Sequence, residues 1–477
     1  MVNVKSIRSS DPAGQPEDGS LSGLDDRLRG DLLYPGDQGY DEARTVWNAM
    51  IDRHPAAIAR CTGTADVVAA VNFAREHNLL FSVRGGGHNV AGKAVVDGGL
   101  MIDLSPMKGI HVNPGQQTAI AQPGITLGDL DRETQLFGLA TPTGIVSETG
   151  LAGLTLGGGF GWLTRKHGFT ADNLLSAEVV TAGGEVVRAS EEENAGLFWG
   201  IRGGGGNFGI VTSFEYRLHP VGPTVLAGLL VYSLEEAPAA IRFYRDFVAE
   251  APDELGSAVV LRLAPAAPFI PEALHGKPVC AILVCYAGEI EAGEQLLQPL
   301  RAHGRPLADR IGPKPYVAFQ SMLDKGQPAG NYYYSKSEYL AALGDEAIAT
   351  TLAHGATISS PETRVAIMQL GGAASRIGEM ATATGHRDAG FVFAINNGWS
   401  DPADSEQQVK WTRDFWRAIR PFSTGGTYVN FLSEGAGQQR VRAAYGPQKY
   451  ERLLALKQKY DPENLFHLNQ NIKPDGR

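Results

Sequence analysis

The sequence has no long apolar run. No stretch approaches the roughly 20 residues that cross a bilayer, so no membrane contact is expected. Cysteine is scarce, three in 477 residues, which excludes a disulfide framework. Cys280 and Cys285 fall on one expected strand, 279–286, where an offset of five puts them on opposite faces. Cys61 falls at an expected strand end, and all three read as small buried side chains. No His/Cys cluster has metal-ligand spacing, so no metal is expected. Positive charge is in deficit: 42 Lys and Arg against 52 Asp and Glu leave a net charge of -10. That balance repels polyanions and argues against a nucleic-acid partner.

Glycine, in contrast, is plentiful and clustered. Arg84-Gly85-Gly86-Gly87-His88-Asn89 follows the apolar strand pattern Leu79-Leu80-Phe81-Ser82-Val83. Three consecutive glycines bring bare backbone close to a ligand. Successive N–H groups in such a turn make a concave anion site suited to a diphosphate. Arg84 adds a fork of donors, and His88 delivers an imidazole to the end of the cradle. A second loop, 150–163, carries Gly157-Gly158-Gly159-Phe160-Gly161. A third carries Arg202-Gly203-Gly204-Gly205-Gly206-Asn207-Phe208-Gly209. No glycine loop ends in the Gly-Lys-Ser/Thr of a phosphate-binding P-loop. Nor does the third open a helix, as a Rossmann loop must, because strand-like Ile210-Val211-Thr212 follows.

A hydrophobic fraction of 43% with 20% charged residues is globular, and the length suggests two domains. The fold class is α+β. Residues 1–30 are polar and are expected to be a disordered leader lacking the apolar core of a secretory signal, on a cytoplasmic protein. Residues 31–219 are expected to form a cofactor domain: a helix over 65–77 capped by Thr64, strands near 99–103 and 118–121, a helix near 126–137, and a hairpin over 178–188 turning at Gly183-Gly184. Residues 220–427 alternate strands (227–232, 258–263, 279–286, 364–370, 391–396) with helices (234–248, 290–302, 339–353, 405–419). This predicts an antiparallel sheet covered by helices on one face. Residues 428–477 are expected to return to the first domain.

The order and spacing of the three loops resemble those of the berberine-bridge-enzyme-like FAD-linked oxidases of the vanillyl-alcohol-oxidase superfamily. Tyr460-Asp461-Pro462-Glu463-Asn464-Leu465-Phe466 with Asn469-Gln470-Asn471-Ile472 resembles that family's C-terminal signature. The resemblance implies a PCMH-type FAD-binding fold joined to a substrate domain. It implies FAD joined covalently to His88 through the 8α-methyl carbon. A second attachment cysteine, present in many members, falls at Val146, so attachment through His88 only is expected. Further cofactor contacts are implied for Arg84, Gly85, Gly86, Gly87 and Asn89 in the first loop. Thr149, Gly150, Gly153, Gly158, Gly159 and Gly161 follow in the second. Asn173, Gly209 and Val211 come next, and Tyr428, Asn430, Asn469 and Asn471 complete the set from the C-terminal part.

Thr149 aligns with the family's oxygen gatekeeper, where a small or β-branched residue goes with oxygen access. Its hydroxyl either supports a flavin–oxygen adduct or bonds its own backbone. Tyr428-Val429-Asn430-Phe431 resembles the strand whose tyrosine faces the flavin, and there Tyr428 acts as a base or only orients substrate. Gln369, Asn396, Tyr332 and Tyr334 are the expected substrate contacts, with Gln369 and Asn396 counted with Tyr428 and Thr149 among the catalytic candidates. His386-Arg387 and His167 read as structural. The implied activity is that of an oxidase: a hydride leaves a C–H beside an alcohol or amine of a small molecule, and O2 is the acceptor, giving H2O2. The alternative is an N5-oxide type oxygenase or multistep tailoring enzyme of secondary metabolism. A monomer or homodimer is expected.

Overall fold

The first glycine loop leaves a small parallel sheet. In the computed structural model, which describes residues 21–475, Ala57–Arg60, Leu100–Asp103 and Phe81–Arg84 pair in parallel in that order. Leu32–Leu33 adds an antiparallel edge. Helix Thr64–Glu76 connects two of these strands and buries Val67, Ala70, Val71, Phe73 and Ala74 against the sheet. Its N-cap is Gly63, not Thr64. The Thr64 hydroxyl donates to Glu178 instead, tying the helix to the next sheet.

Residues 1–20 of the expected leader lie outside the described residues. Residues 21–30 do not behave as a leader. Leu21 and Leu24 are buried in the same core as Phe73, and the backbone N–H groups of Arg29 and Gly30 donate to the Asp66 carboxylate. Two leucines and a buried acceptor outweigh the polar composition around them.

A second sheet is antiparallel and ordered Ile110–Asn113, Thr118–Ala121, Ile210–Arg217, Leu174–Val180, Val186–Ser190. The last two strands form the hairpin expected around Gly183-Gly184. Helix Leu127–Gln135 starts at a capping box in which Thr126 and Asp129 satisfy each other's backbone donors.

The third sheet is large and antiparallel: Ala308–Asp309, Thr224–Ser233, Pro278–Tyr286, Leu255–Leu263, Arg364–Gln369, Phe391–Trp399, Tyr332–Leu340. Strand Tyr332–Leu340 overrides the expected helix, which begins only at Asp345. Alternation across this sheet decides everything downstream. One face packs on helices Ala237–Ala249, Ile290–Ala302, Asp345–Gly355 and Ser405–Ile419 around Val259, Ile282, Ile367 and Phe393. The other face, with Ala258, Leu283, Met368 and Val392, packs on Phe160, Trp162 and Tyr428. Cys280 lies in the first layer and Cys285 in the second.

The glycine-loop half and the large sheet are joined by polar contacts. Arg387 grips Asp172 with both carboxylate oxygens engaged, at 2.5 and 3.0 Å, and both side chains are buried. The Asn48 side-chain amide donates to the carbonyls of Val90 and Tyr333 and accepts from the Tyr333 N–H. Asp324 accepts from the backbone N–H and hydroxyl of Ser147. Lys457, fully buried, pairs with Asp461 at 2.6 Å and donates to the carbonyls of Asn207 and Phe466. That cluster docks the last helix and tail on the third glycine loop. Among the described residues no helix is long and apolar enough to cross a membrane.

Candidate active site: a cleft between glycine loops and a sheet

A cleft of about 350 Å3 runs between the glycine loops and the inner face of the large sheet. On the loop side, Gly86 and Gly150 meet backbone to backbone. A Cβ on Gly86 would lie 2.5 Å from the Gly150 Cα, and one on Gly150 would lie 2.6 Å from the Gly86 nitrogen. No other residue type permits that seam. It leaves bare peptide facing the cleft from two loops at once.

His88 sits on this wall beside the seam. Its Nε2 is buried and has no hydrogen-bond partner. Burial pushes the imidazole down to about 4, so the ring is neutral at ordinary pH. Trp47 stacks on it at 4.5 Å and 16°, and Tyr333 stacks on the other face of Trp47 at 3.7 Å and 12°. The Trp47 indole N–H is tied to the Gln327 carbonyl. The imidazole is thus neutral, oriented and free at one nitrogen.

Tyr428 is on the wall as well. It precedes a short 3-10 turn, Val429–Phe431, where a strand was expected. The turn still brings Asn430 back: its Nδ2 donates to the Tyr428 oxygen at 2.9 Å, and the Gly159 N–H donates at 3.1 Å. Desolvation raises the phenol to about 12 despite those two donors. Those surroundings favour the protonated hydroxyl over the phenolate at neutral pH. With both acceptor positions of its oxygen used, the hydroxyl proton is the part left to donate.

Of the other expected cofactor contacts, the wall holds Gly85, Gly87 and Asn89 from the first loop and Thr149 and Gly153 from the second. It also holds Gly209, Val211 and Asn469. The Asn469 side-chain nitrogen is held by the Gly206 and Phe466 carbonyls while its Oδ1 is buried and unpartnered.

Several expected residues are elsewhere. The Arg84 guanidinium turns away to the Ala43 carbonyl. The Asn173 amide is consumed by the carbonyls of His167 and Phe169 and by His219. Gly158, Gly159 and Gly161 lie behind the wall. Gly159 serves Tyr428, and Gly161 donates to the Thr164 hydroxyl. The Asn471 backbone carbonyl takes a bond from Gln438, and its side-chain Oδ1, like that of Asn469, is buried and unpartnered.

On the sheet side the error is one of parity. Asn396 and Met368 line the cleft. Gln369, one residue further, faces the helices, accepting from Ser257 and donating to the Val248 carbonyl. Tyr332 and Tyr334 also point outward, onto Trp399 and Arg413. Tyr333 and Ser335 point inward. His167 stacks on His219 at 3.9 Å, and burial pushes it down to about 3, which leaves it structural. Trp47, Lys93, Gln327 and Ser335 were missed. No motif marks them, and only the alternation of strand 332–340 would have pointed to Ser335.

The orphaned His88 nitrogen, the side-chain-free seam and the orphaned Asn469 carbonyl fit a flavin dinucleotide. The comparisons agree. Residues 55–190 match the family described as FAD binding domain, and residues 427–473 match the one described as Berberine and berberine like. The chain is 33% identical over 464 residues to (R)-6-hydroxynicotine oxidase of Paenarthrobacter nicotinovorans, covering 94% of this chain and 98% of that one. It is 31% identical over 452 residues to an FAD-linked oxidoreductase of Dictyostelium discoideum, covering 94% and 95%. The solved structure of 6-hydroxy-D-nicotine oxidase from Arthrobacter nicotinovorans superposes with a TM-score of 0.85 at 31% identity, over 94% of this chain and 98% of that one. The chain belongs to the berberine-bridge-enzyme-like family of FAD-linked oxidoreductases and is an FAD-dependent oxidase.

Proposed function

We propose that this enzyme is a two-electron oxidase of a small alcohol or amine, with FAD attached through His88 alone. When bound, FAD supplies the acceptor that takes a hydride from the carbon beside the heteroatom and passes the electrons to O2 as H2O2. The chain's own residues supply attachment, orientation and exclusion of water. The free Nε2 of neutral His88 supports attachment at that residue. Val146, on the same wall, offers no nucleophile. Hydride transfer needs donor and acceptor about 3–3.5 Å apart. In this reading Met368 and Phe431, which line the cleft, give the substrate an apolar bed, and the Tyr428 hydroxyl and the Asn396 amide hold its heteroatom. Because Tyr428 keeps its proton, its role is to donate and orient.

The test is anaerobic bleaching of the holoenzyme across a panel of alcohols, amines, sugars and phenols, followed by admission of air. Recovery of colour with one H2O2 per substrate supports the oxidase. Label from 18O2 in the organic product would replace it with the oxygenase that Thr149 otherwise allows. His88→Ala is expected to remove acid-stable colour from the denatured chain; colour that survives would place the attachment elsewhere.

A further inference from the structure

The walls of the cleft include Lys93 but no aspartate or glutamate. Lys93 is half-buried, burial lowers its ammonium below the usual lysine value, and it has no ion pair or hydrogen bond among the described residues. Beside it, Arg53 and Glu434 pair at 2.6 Å and both act on Lys93, so the three side chains together leave one net positive charge.

The sheet side repeats this pattern. Arg364 stands directly across from Asn396 in the strand register, and Arg262, two residues beyond Val260 (the partner of Ala366), continues the same face of the neighbouring strand. Register partners share a face, so all three stand on the side of the sheet that holds the cleft. Arg364 is 4% exposed, and its Nε and Nη2 have no partner. Burial and the Arg262 charge push it down to about 9. Its guanidinium packs on Gly326, next to Gln327 on the cleft wall. Two opposed arginines with no carboxylate in contact are costly. With Glu362 as the one carboxylate acting on both, two positive charges against one leave the sheet side of the cleft net positive, through low-dielectric walls that focus the field.

We propose that the substrate carries a carboxylate, which Lys93 holds at the rim while the oxidisable carbon lies beside Tyr428, with Arg364 and Arg262 adding attraction from behind the wall. The assignment deepens the oxidase reading and rests on it.

The test uses the oxidised holoenzyme and needs no turnover, so it is separate from the test of the oxidase reading. Benzoate and benzamide are titrated against the flavin absorption spectrum. Benzoate should perturb the spectrum and saturate at far lower concentration than benzamide. Lys93→Met should weaken benzoate at least about tenfold, the scale of one charge-assisted hydrogen bond, while benzamide binding and flavin content stay the same. Lys93→Arg should restore most of the loss. The proposal is overturned if benzoate binds no better than benzamide, or if Lys93→Met leaves benzoate binding intact. It is also overturned if Lys93→Met loses flavin, which would assign the lysine to the cofactor diphosphate.

Discussion

Tyr428→Phe separates a phenol that orients substrate from one that removes a proton. The wild-type oxygen accepts from the Gly159 N–H at 3.1 Å and from Asn430 Nδ2 at 2.9 Å. Phenylalanine leaves both donors buried without it. Asn430 keeps a second acceptor, the Leu154 carbonyl at 3.3 Å, so most of the cost falls on Gly159. A stability loss of about 1–3 kcal/mol follows. The donor to the substrate heteroatom is lost as well, which at about 1.5–3 kcal/mol lowers kcat/KM roughly 10- to 100-fold. The sharper readout is the pH profile. A phenol raised to about 12 does not titrate between pH 6 and 10, so wild type and variant should trace parallel curves over that range. An ionisation seen in wild-type kcat/KM inside that window and abolished in Tyr428→Phe would refute the argument, since the tyrosine would then be working as a base.

Thr149→Leu places a bulkier apolar side chain on the cleft wall. It should slow reoxidation by O2 at least about tenfold, about 1.4 kcal/mol of barrier, and slow reduction less; stopped-flow traces with the reverse pattern would move the oxygen path elsewhere. Asp131 is buried on helix 127–135, and desolvation raises its carboxyl to about 7 against the Gln320 hydrogen bond. The folded state therefore holds that proton more tightly than the unfolded chain. The resulting stability is full below about pH 4 and is lost as pH rises to 7, by up to about 4 kcal/mol. Asp131→Asn should melt higher than wild type at pH 8 and lose that advantage at pH 4; parallel melting curves across the range would remove the effect. Arg387→Met strands the buried Asp172 carboxylate and should cost about 3–5 kcal/mol in denaturant unfolding. A change under 1 kcal/mol would mean the pair contributes little to joining the two halves.

The glycine-loop half was readable because its information lies in the backbone. A position that only glycine can occupy, as at the Gly86–Gly150 seam, announces itself in a single sequence. So does a histidine fixed to the end of such a loop. The sheet half was readable as a set of strands and helices but not as a surface. Period-two alternation gives two faces without saying which is buried against which layer, and both faces of this sheet are apolar. That is why Gln369 and Tyr334 were assigned to the cleft while Met368 and Ser335, one residue away, were not. The run Tyr332-Tyr333-Tyr334 divides between the two faces, and the strand holding it was hidden by the helical pattern that follows. Residues 21–30 failed for a different reason: two leucines and two backbone donors to Asp66 decide that segment, and composition averages over them.

The same division sets how the enzyme achieves its chemistry. One wall is rigid peptide and a neutral imidazole held in a stack; the other is a sheet whose cleft-lining residues, Ser335, Met368 and Asn396, come from three strands. Neither His88, pushed to about 4, nor Tyr428, pushed to about 12, is matched to act as a base near neutral pH. Rate must then come from geometry, and geometry depends on how firmly the walls are joined. The Asn48 amide, the Ser147–Asp324 bonds and the buried Arg387–Asp172 pair all cross between them, and two of the three border the Trp47–Gln327 and Val146–Thr149 segments of the cleft. A substitution at one of these joints should therefore lower kcat while leaving the flavin attached, whereas a substitution at the glycine seam should lose the flavin itself.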